Sequence, residues 1–548
     1  MSHEPSATPP PAPRAIGRFA RLVAVLLVAI GTASRAAPLL DQGGRMLRQW
    51  PTEDGYLMLT IARNMALGHG MSTADGTLPT NGTQPGFNFV EAAMFALAHG
   101  DKRNGVLLTQ GVSLALALVA AWTLFRLGQR VLRERSWGGD AAAIAAAAWF
   151  ASPNVVPHSM NCLETGLYHL LILRSLLVWH RFAERRAPET TVAATGALGL
   201  GLLLGAALWA RIDGVFLVAA VCLAHLGVGV ARGGAAVRAR FLEATLAGAV
   251  AVAVFSPWLI HNKTQFGSFM PISGTAQAFG AQPGDNLSSV PAKLAEYASV
   301  VVPIPDPLER EPGMLALWSI VLVAWLAGVA VLRRFANASE RAFMLVAALL
   351  FACFVVYYGA LFGAAYFMAR YLSPLSIGCA LATTAGAFAL HARLRAGATR
   401  RALPAVGAVA LLAVSSATNA RLYRDGTSHM HFQVVEWTES HVAEFQWMAA
   451  VQTGTLGFFH DRTVNLDGKV NPDALKHLIA QTTPQYVVEG RFGPEQGAIE
   501  YLADWAHSNT GAIGISKWIE LDPIREHFKL IVDDAEKNLA VLKREGAP

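Results

Sequence analysis

The stretch Pro51-Thr-Glu-Asp-Gly-Tyr-Leu-Met-Leu-Thr-Ile-Ala-Arg-Asn64 follows the first hydrophobic segment of the chain and contains two adjacent carboxylates, Glu53 and Asp54. Charge is scarce in this protein, because Asp, Glu, Lys and Arg make up 15% of its 548 residues. An acidic pair beside a bilayer is therefore a candidate general base that meets the head group of a lipid-linked substrate. The structural alternative is that either carboxylate caps a helix, which the apolar spacing predicts over residues 56–66 along the membrane interface.

The composition is that of a membrane protein. Hydrophobic residues make up 53% of the chain and the mean hydropathy is +0.37. The net charge of +6 comes mostly from short arginine-rich loops, which indicates membrane topology and not nucleic-acid binding. The cysteines are far apart in sequence and form neither a zinc motif nor a disulfide framework. No cluster of metal-binding residues is evident in the sequence either, so we expect neither a metal nor a cofactor. These cysteines are Cys162, Cys222, Cys353 and Cys379.

About eleven hydrophobic segments predict membrane spans, since runs of about 18 or more mostly uncharged residues are long enough to cross a bilayer. The segments are residues 19–40, 105–125, 139–152, 162–180, 192–210, 214–230, 242–260, 314–332, 342–362, 371–390 and 403–420. Arginines precede the first segment and follow every second one after it. By the positive-inside rule these loops are cytoplasmic, which places the N-terminus inside and the C-terminus outside.

The first segment also has a second interpretation. Between Arg21 and Arg35 the uncharged run is about 13 residues, which matches the core of a cleaved signal peptide as well as a short span. With either interpretation, residues 41–104 lie on the outer side of the membrane. The position of Asp54 outside therefore does not depend on this choice.

The predicted topology divides the chain into a disordered cytoplasmic tail (1–18), a membrane domain (19–420) with outer loops 41–104 and 261–313, and a polar outer tail (421–548). This outer tail alternates apolar and polar segments and, at roughly 120 residues, is long enough for one hydrophobic core. Its predicted strands are Thr455–Phe459, Gln485–Glu489 and Phe528–Val532, and its predicted helices are Pro472–Ala480 and Ala498–His507. The expected fold class is a mainly α polytopic membrane protein with a small C-terminal soluble α/β domain.

Further polar residues lie near the outer ends of the predicted spans or in the first outer loop. Cations that converge there predict a phosphate site, because arginine binds phosphate bidentately. The candidates are Arg63, Asn81, Asn161, Glu164, Arg211, Asp213, His261, Lys263, Arg370 and Tyr371. Each has a structural alternative when taken singly, namely that Arg211 pairs with Asp213, or Arg370 with Glu164, to hold helices together.

The same stretches carry a family resemblance. Glu53-Asp-Gly-Tyr56, together with Ala62–Asn64, Gly68–Gly70 and Thr80–Pro85, resembles the first outer loop of bacterial GT-C glycosyltransferases, polytopic enzymes that use polyprenyl-phosphate sugars. Matches elsewhere in the membrane domain are Asn161–Gly166, Ala210–Gly214, Phe266–Gly274 and Arg370–Pro374. In the tail, Gly454–Phe459 and Asn465–Asn471 are similar to the soluble domain of the arabinofuranosyltransferase-like branch. Departures occur at Gly86-Phe87, where many relatives have a bulky aromatic residue, and at Cys162, where many have glycine.

The resemblance implies a GT-C fold in the bacterial inner membrane, with Asp54 as catalytic base and Glu53 as the neighbour that shares this role. It implies inverting transfer of a sugar, such as arabinofuranose or mannose, from polyprenyl phosphate to an envelope glycan, lipid or protein. Two other classes stay open: a flippase for lipid-linked sugars, and a ligase that uses a polyprenyl diphosphate. The charges at the outer ends and the lack of a convincing internal repeat favour the transferase over the flippase.

Overall fold

A computed structural model of the chain describes residues 16–41, 44–185, 191–279, 281–303, 314–363, 368–426, 431–507 and 514–546. Most of the predicted disordered tail at 1–18, and residues 280 and 304–313 of the second outer loop, lie outside the described residues. The first part contains, in order, α1 (Arg18–Leu40), α2 (Arg45–Arg48), α3 (Glu53–Ala66), β1 (Ser72–Thr73), β2 (Leu78–Pro79), α4 (Pro85–Leu97), α5 (Lys102–Val131), α6 (Gly138–Ala151), α7 (Val156–Met160), α8 (Thr165–Ala183), α9 (Ala194–Ala210), α10 (Gly214–Arg232), α11 (Ala235–Phe266), α12 (Ile272–Ala278), α13 (Val290–Ala298), α14 (Met314–Arg334), α15 (Ala338–Phe354), α16 (Met368–Leu372), α17 (Ser376–Arg393) and α18 (Ala398–Asp425).

Each predicted span coincides with one of these helices. Within the described ranges, 7 helical segments are long and apolar enough to cross a membrane by length and composition. They are α1, α5, α10, α11, α15 with the π-helix that continues it over Val355–Leu361, α16 with α17, and α18. The chain is therefore a multi-pass membrane protein. The remaining predicted spans are confirmed as helices, whereas their passage through the bilayer stays a prediction.

The small residues of α6 explain how the first helices pack. Its alanines over residues 141–148, which only Ile144 interrupts, are buried, and α1, α5 and α17 all pack against this helix. Small side chains let membrane helices approach closely, because backbone atoms then make the van der Waals contacts. Trp149 and Phe150 end the run and fill the space that the alanines leave.

The arginine-rich helix ends meet at one end of the bundle. Glu184, after α8, accepts ion pairs from Arg133 at 2.6 Å and from Arg130 at 2.9 Å. Arg135 pairs with Glu340 of α15 at 2.7 Å. The loops that the positive-inside rule assigns to one side are thus neighbours in the fold, and their cytoplasmic location stays a prediction.

The first outer loop begins with the helix that carries the acidic pair. Helix α3 is confirmed, and Thr52 is its N-cap, with a hydroxyl that accepts a hydrogen bond from the Gly55 amide at 3.2 Å. Neither carboxylate is therefore needed as the cap. The prediction that this helix lies on the membrane interface is wrong, because residues 55–62 are buried on all sides by α4, α5 and the C-terminal domain.

The C-terminal part is an α/β domain, as predicted. Its elements are α19 (Phe432–His441), β3 (Trp447–Ala450), α20 (Gly454–Phe459), β4 (Thr463–Asn465), α21 (Pro472–Ile479), α22 (Thr483–Glu489), β5 (Ile499–Asp504), α23 (Ile524–His527), β6 (Phe528–Asp534) and β7 (Leu539–Arg544). The 5-stranded sheet has the order β4-β3-β5-β7-β6. Strand β3 pairs in parallel with β4 and β5, whereas β7 pairs antiparallel with β5 and β6.

Three of the predicted elements in this domain are wrong. Thr455–Phe459 is helical because its first amides bind a carboxylate, which stabilises a helix start. Gln485–Glu489 belongs to α22, which has proline in its first turn, where the missing N–H costs nothing. Ala498–His507 contains the inner strand β5, which is buried on both faces and so lacks the alternation of an exposed strand. The predictions at Pro472–Ala480 and Phe528–Val532 are confirmed.

The C-terminal domain is docked on the first outer loop. Asp461 pairs with Arg63 of α3 at 3.1 Å and with Lys102 of α5 at 3.0 Å. Tyr56 packs against Phe458 with 5.0 Å between ring centroids. Helix α20 therefore lies directly against the first turns of α3, which also carry the acidic pair.

Gly454→Ala is expected to loosen this docking, because a Cβ at Gly454 would overlap the carbonyl oxygen of Glu53. Gly457→Ala, in the same helix, is the matched control, since a Cβ there finds its nearest atoms at 3.8 Å. We expect amide hydrogen exchange in α3 and α20 to accelerate in the first variant, in line with a cost of about 1–3 kcal/mol for overpacking. Equal exchange in the two variants would contradict the tight contact.

Candidate active site

Asp54 forms an ion pair with Arg370 across the outer end of the bundle. Its Oδ2 accepts a hydrogen bond from Nη1 of Arg370 at 3.0 Å, and the two side chains are 18% and 16% exposed. Asp54 is in the first turn of α3, and Arg370 is in the short helix α16. The partner of Arg370 is thus Asp54 and not Glu164, the pairing proposed as a structural alternative.

Two cations keep Asp54 ionised. Burial acts to raise the pKa of this carboxyl group, but the positive charges of Lys469 and Arg370 outweigh it and hold the pKa below its usual value. Asp54 is therefore an anion at neutral pH. It can accept a proton readily only after at least one of the two cations has found another negative partner.

Lys469 is a residue that sequence reasoning missed at this site. It lies in the loop between β4 and α21, and its ammonium group pairs with Asp467 at 3.4 Å. The segment Asn465–Asn471 is one of the stretches that carry the family resemblance. Its lysine could therefore have been added to the candidate site residues on that ground. Its proximity to Asp54 depends on domain docking, which local sequence patterns do not contain.

Glu53 points away from Asp54 and into the C-terminal domain. Its Oε2 accepts hydrogen bonds from the amide of Thr455 at 3.1 Å and from the Thr455 hydroxyl at 2.5 Å, and its Oε1 accepts from the Gly454 amide. Both carboxylate oxygens are thus engaged at the start of α20. This arrangement makes Glu53 a docking residue in the structure, and its predicted share in proton transfer stays untested.

Arg211 belongs to a buried network. Two of its nitrogens donate to Asp213, at 3.0 Å and 2.7 Å, and a third lies 3.6 Å from Glu164. The hydroxyl of Tyr358 donates to Asp213 at 2.5 Å. Arg211 therefore pairs with Asp213, as the structural alternative proposes, and also lies beside Glu164, which that alternative assigned to Arg370. These carboxylates weaken its case as a phosphate ligand.

Tyr371 connects this network to the Asp54 pair. Its ring stacks on Tyr358 with 4.5 Å between centroids, and the guanidinium groups of Arg370 and Arg211 lie 5.3 Å and 5.4 Å from its centre. Cations over an aromatic face are attracted by its negative quadrupole. Both guanidinium groups therefore contact the same ring, although Arg211 still acts on Arg370 as a like charge.

The other predicted site residues make contacts elsewhere. Lys263 is exposed and donates to the Gly267 carbonyl at 2.8 Å, and His261 stacks on Trp258. Asn81 donates to Asn262 at 3.0 Å and so joins the first outer loop to the end of α11. The structure therefore does not bring Lys263, His261 or Asn81 to Asp54, and it uses Arg63 to hold the C-terminal domain.

His158 and Lys293 are two further groups near Arg370 that the sequence did not single out. Burial lowers the pKa of His158 to about 3, and the charges of Arg370, Lys293 and Arg211 act in the same direction. His158 is therefore neutral at neutral pH and is not a cation. Lys293 of α13 pairs with Glu296 at 3.2 Å. Across the described residues, no group of three or more His, Cys, Asp and Glu side chains is arranged to hold a metal ion.

Solved structures share this architecture. ArnT from Cupriavidus metallidurans, solved with undecaprenyl phosphate, is similar with a TM-score of 0.58 and 12% identity, over 97% of this chain and 99% of that chain. The archaeal oligosaccharyltransferase AglB from Archaeoglobus fulgidus, solved with an inhibitory peptide and a dolichol-phosphate, has a TM-score of 0.57 and 12% identity, over 89% of this chain and 69% of that chain. The chain has the GT-C fold. No family model and no curated protein matches its sequence.

The fold expected from the resemblance is thereby confirmed. Within this GT-C fold, Asp54 lies in the segment predicted as the first outer loop, next to the C-terminal domain. The contact between a carboxylate and a guanidinium at this position provides both a proton acceptor and an anion-binding group.

Arg370→Gln is expected to raise the pKa of Asp54, because it removes one of the two charges that lower it while burial remains. The measurement is the pH titration of the carboxylic-acid band in infrared difference spectra, with Asp54→Asn to assign the band. Arg48→Gln is the control, since Arg48 pairs with Glu436 on the surface. An unchanged titration in Arg370→Gln would show that this ion pair does not control Asp54.

Proposed function

We propose that the protein is an inverting glycosyltransferase that moves a sugar from a polyprenyl-phosphate donor to an acceptor hydroxyl. The observation that carries this proposal is the ion pair of Asp54 and Arg370 in a GT-C fold. Support comes from ArnT and AglB, which were each solved with a polyprenyl-type lipid phosphate. Such a lipid places its phosphate at the membrane surface, at the depth of the outer helix ends.

In the first step, the donor phosphate replaces Asp54 as the partner of Arg370. The guanidinium group exchanges one anion for another, so its charge stays neutralised in a partly buried site. Asp54 is released and loses one of the charges that lower its pKa. Donor binding thus raises the pKa of Asp54 and makes its previously ion-paired carboxylate a stronger base.

In the second step, Asp54 takes the proton of the acceptor hydroxyl as the acceptor oxygen forms a bond to the anomeric carbon. The bond from that carbon to the phosphate oxygen breaks, and its electron pair leaves with the polyprenyl phosphate. Attack from the side opposite the leaving group inverts the anomeric configuration. Arg370 stabilises the negative charge that grows on the phosphate.

The donor sugar and the acceptor follow from the resemblance and not from the geometry of the site. Arabinofuranose and mannose are the proposed sugars, and an envelope glycan, a lipid or a protein is the proposed acceptor. The proposed location is the bacterial inner membrane, with the reaction on its outer face. No separate cofactor enters the mechanism, because the lipid-linked sugar is itself a substrate.

A ligase that moves a whole glycan from a polyprenyl diphosphate is the second candidate, and the similarity to AglB favours it. Purified protein given a polyprenyl-monophosphate sugar and an acceptor separates the classes. A transferase forms a glycosidic product from this donor, a ligase requires the diphosphate, and a flippase forms no product from either one.

Asp54→Asn is expected to reduce sugar transfer by roughly 10²–10⁴-fold, because the general base is lost while the shape of the side chain is kept. Glu53→Gln is expected to have a milder effect. Asp75→Asn is the control, since Asp75 belongs to the same outer loop, is 44% exposed and lies 3.7 Å from Arg462. Turnover close to wild type in Asp54→Asn would refute the assignment.

A further inference from the structure

The loop between β4 and α21 of the C-terminal domain packs against α3, close to Asp54. Val470 is buried in a cluster with Leu57 and Met58 of α3, which follow Asp54 by three and four residues. A Cβ at Gly82 of the first outer loop would overlap the carbonyl oxygen of Lys469. The backbone at Lys469 and Val470 is therefore packed against the first outer loop.

This loop is held in a single conformation by its own hydrogen bonds. The side-chain oxygen of Asn465 accepts from the Gly468 amide at 3.0 Å, and Asn471 donates to the Asn465 carbonyl at 2.8 Å. Asp467 accepts from the Lys469 amide at 2.9 Å. A loop that is ordered before substrate arrives loses little entropy when it binds a ligand.

The positive charge of Lys469 acts directly on Asp54, the carboxylate that pairs with Arg370. Burial acts to raise the pKa of Asp54, and the charge of Lys469 lowers it together with the charge and the hydrogen bond of Arg370. Two cations from different domains therefore act on one carboxylate, and the ammonium group of Lys469 also pairs with its neighbour Asp467 at 3.4 Å. A phosphate that displaces Asp54 from Arg370 enters the field of both cations.

We propose that Lys469 is a phosphate-binding residue that the C-terminal domain supplies to the active site. Together with Arg370 it holds the phosphate of the lipid donor from the side opposite the membrane domain. This inference rests on the proposed function. A lysine suits the role, because its compact ammonium group on a flexible stem can turn from Asp467 to the phosphate as the leaving group gains charge.

The test measures the binding of undecaprenyl monophosphate to the full-length protein and to its Lys469→Gln and Lys469→Met variants. We expect the dissociation constant to rise about tenfold or more, as for loss of a charge-assisted hydrogen bond, and Lys469→Arg to restore most of the affinity. Binding of the neutral alcohol undecaprenol, which has the same tail, is expected to change little. Lys476→Gln is the control, since Lys476 is a lysine of the same domain that is 76% exposed.

The outcomes separate this inference from the proposed function. If Arg370→Gln loses affinity and both Lys469 variants bind like wild type, the role of Lys469 is refuted and the function stands. If the Lys469 variants lose affinity for the phosphate and the alcohol equally, Lys469 only supports the fold, and the inference is also refuted. If wild-type protein does not distinguish the phosphate from the alcohol, the proposed function fails as well.

Discussion

The contact between the membrane domain and the C-terminal domain depends on the need to balance one partly buried negative charge, that of Asp54. A carboxylate removed from water costs several kcal/mol unless a cation and hydrogen bonds compensate it. Asp54 obtains this compensation from Arg370, which belongs to the last third of the membrane domain, and from Lys469, which belongs to the soluble domain. Three distant parts of the chain are thus held at one point, and the surrounding aromatic and ion-pair contacts keep them there.

The first turn of α3 serves two purposes because adjacent residues on a helix point in directions about 100° apart. Asp54 faces the cation of the membrane domain, whereas Glu53 faces the amides at the start of α20. A single turn therefore joins the ion pair of Asp54 and Arg370 to the docking surface of the C-terminal domain. This geometry explains why two neighbouring carboxylates in a chain with little charge have different partners.

The sequence predicted the elements that depend on local pattern. Long apolar runs predict the membrane helices. The rarity of charge beside these runs, together with the resemblance of the surrounding sequence, predicts Asp54 as a site residue. The predictions that failed concern features that depend on tertiary contacts. Thr455–Phe459 has the apolar content of a strand, yet it is a helix because it docks on Glu53. Lys469 reaches Asp54 only through domain docking. The pairing of Arg211 with Asp213 was predicted, whereas its contacts with Glu164 and Tyr358 come from distant parts of the chain that no spacing rule identifies.

The close approach of Gly82 to the Lys469 carbonyl has a consequence for how such a protein evolves. The outer loop and the C-terminal domain each contribute part of one binding surface, and each has a glycine where the other leaves no room for a side chain. Recombination that brings in either part from a distant relative would break this fit, even when both parts fold. The two segments are therefore expected to be inherited as a unit, with paired changes on the two sides of their contact across relatives.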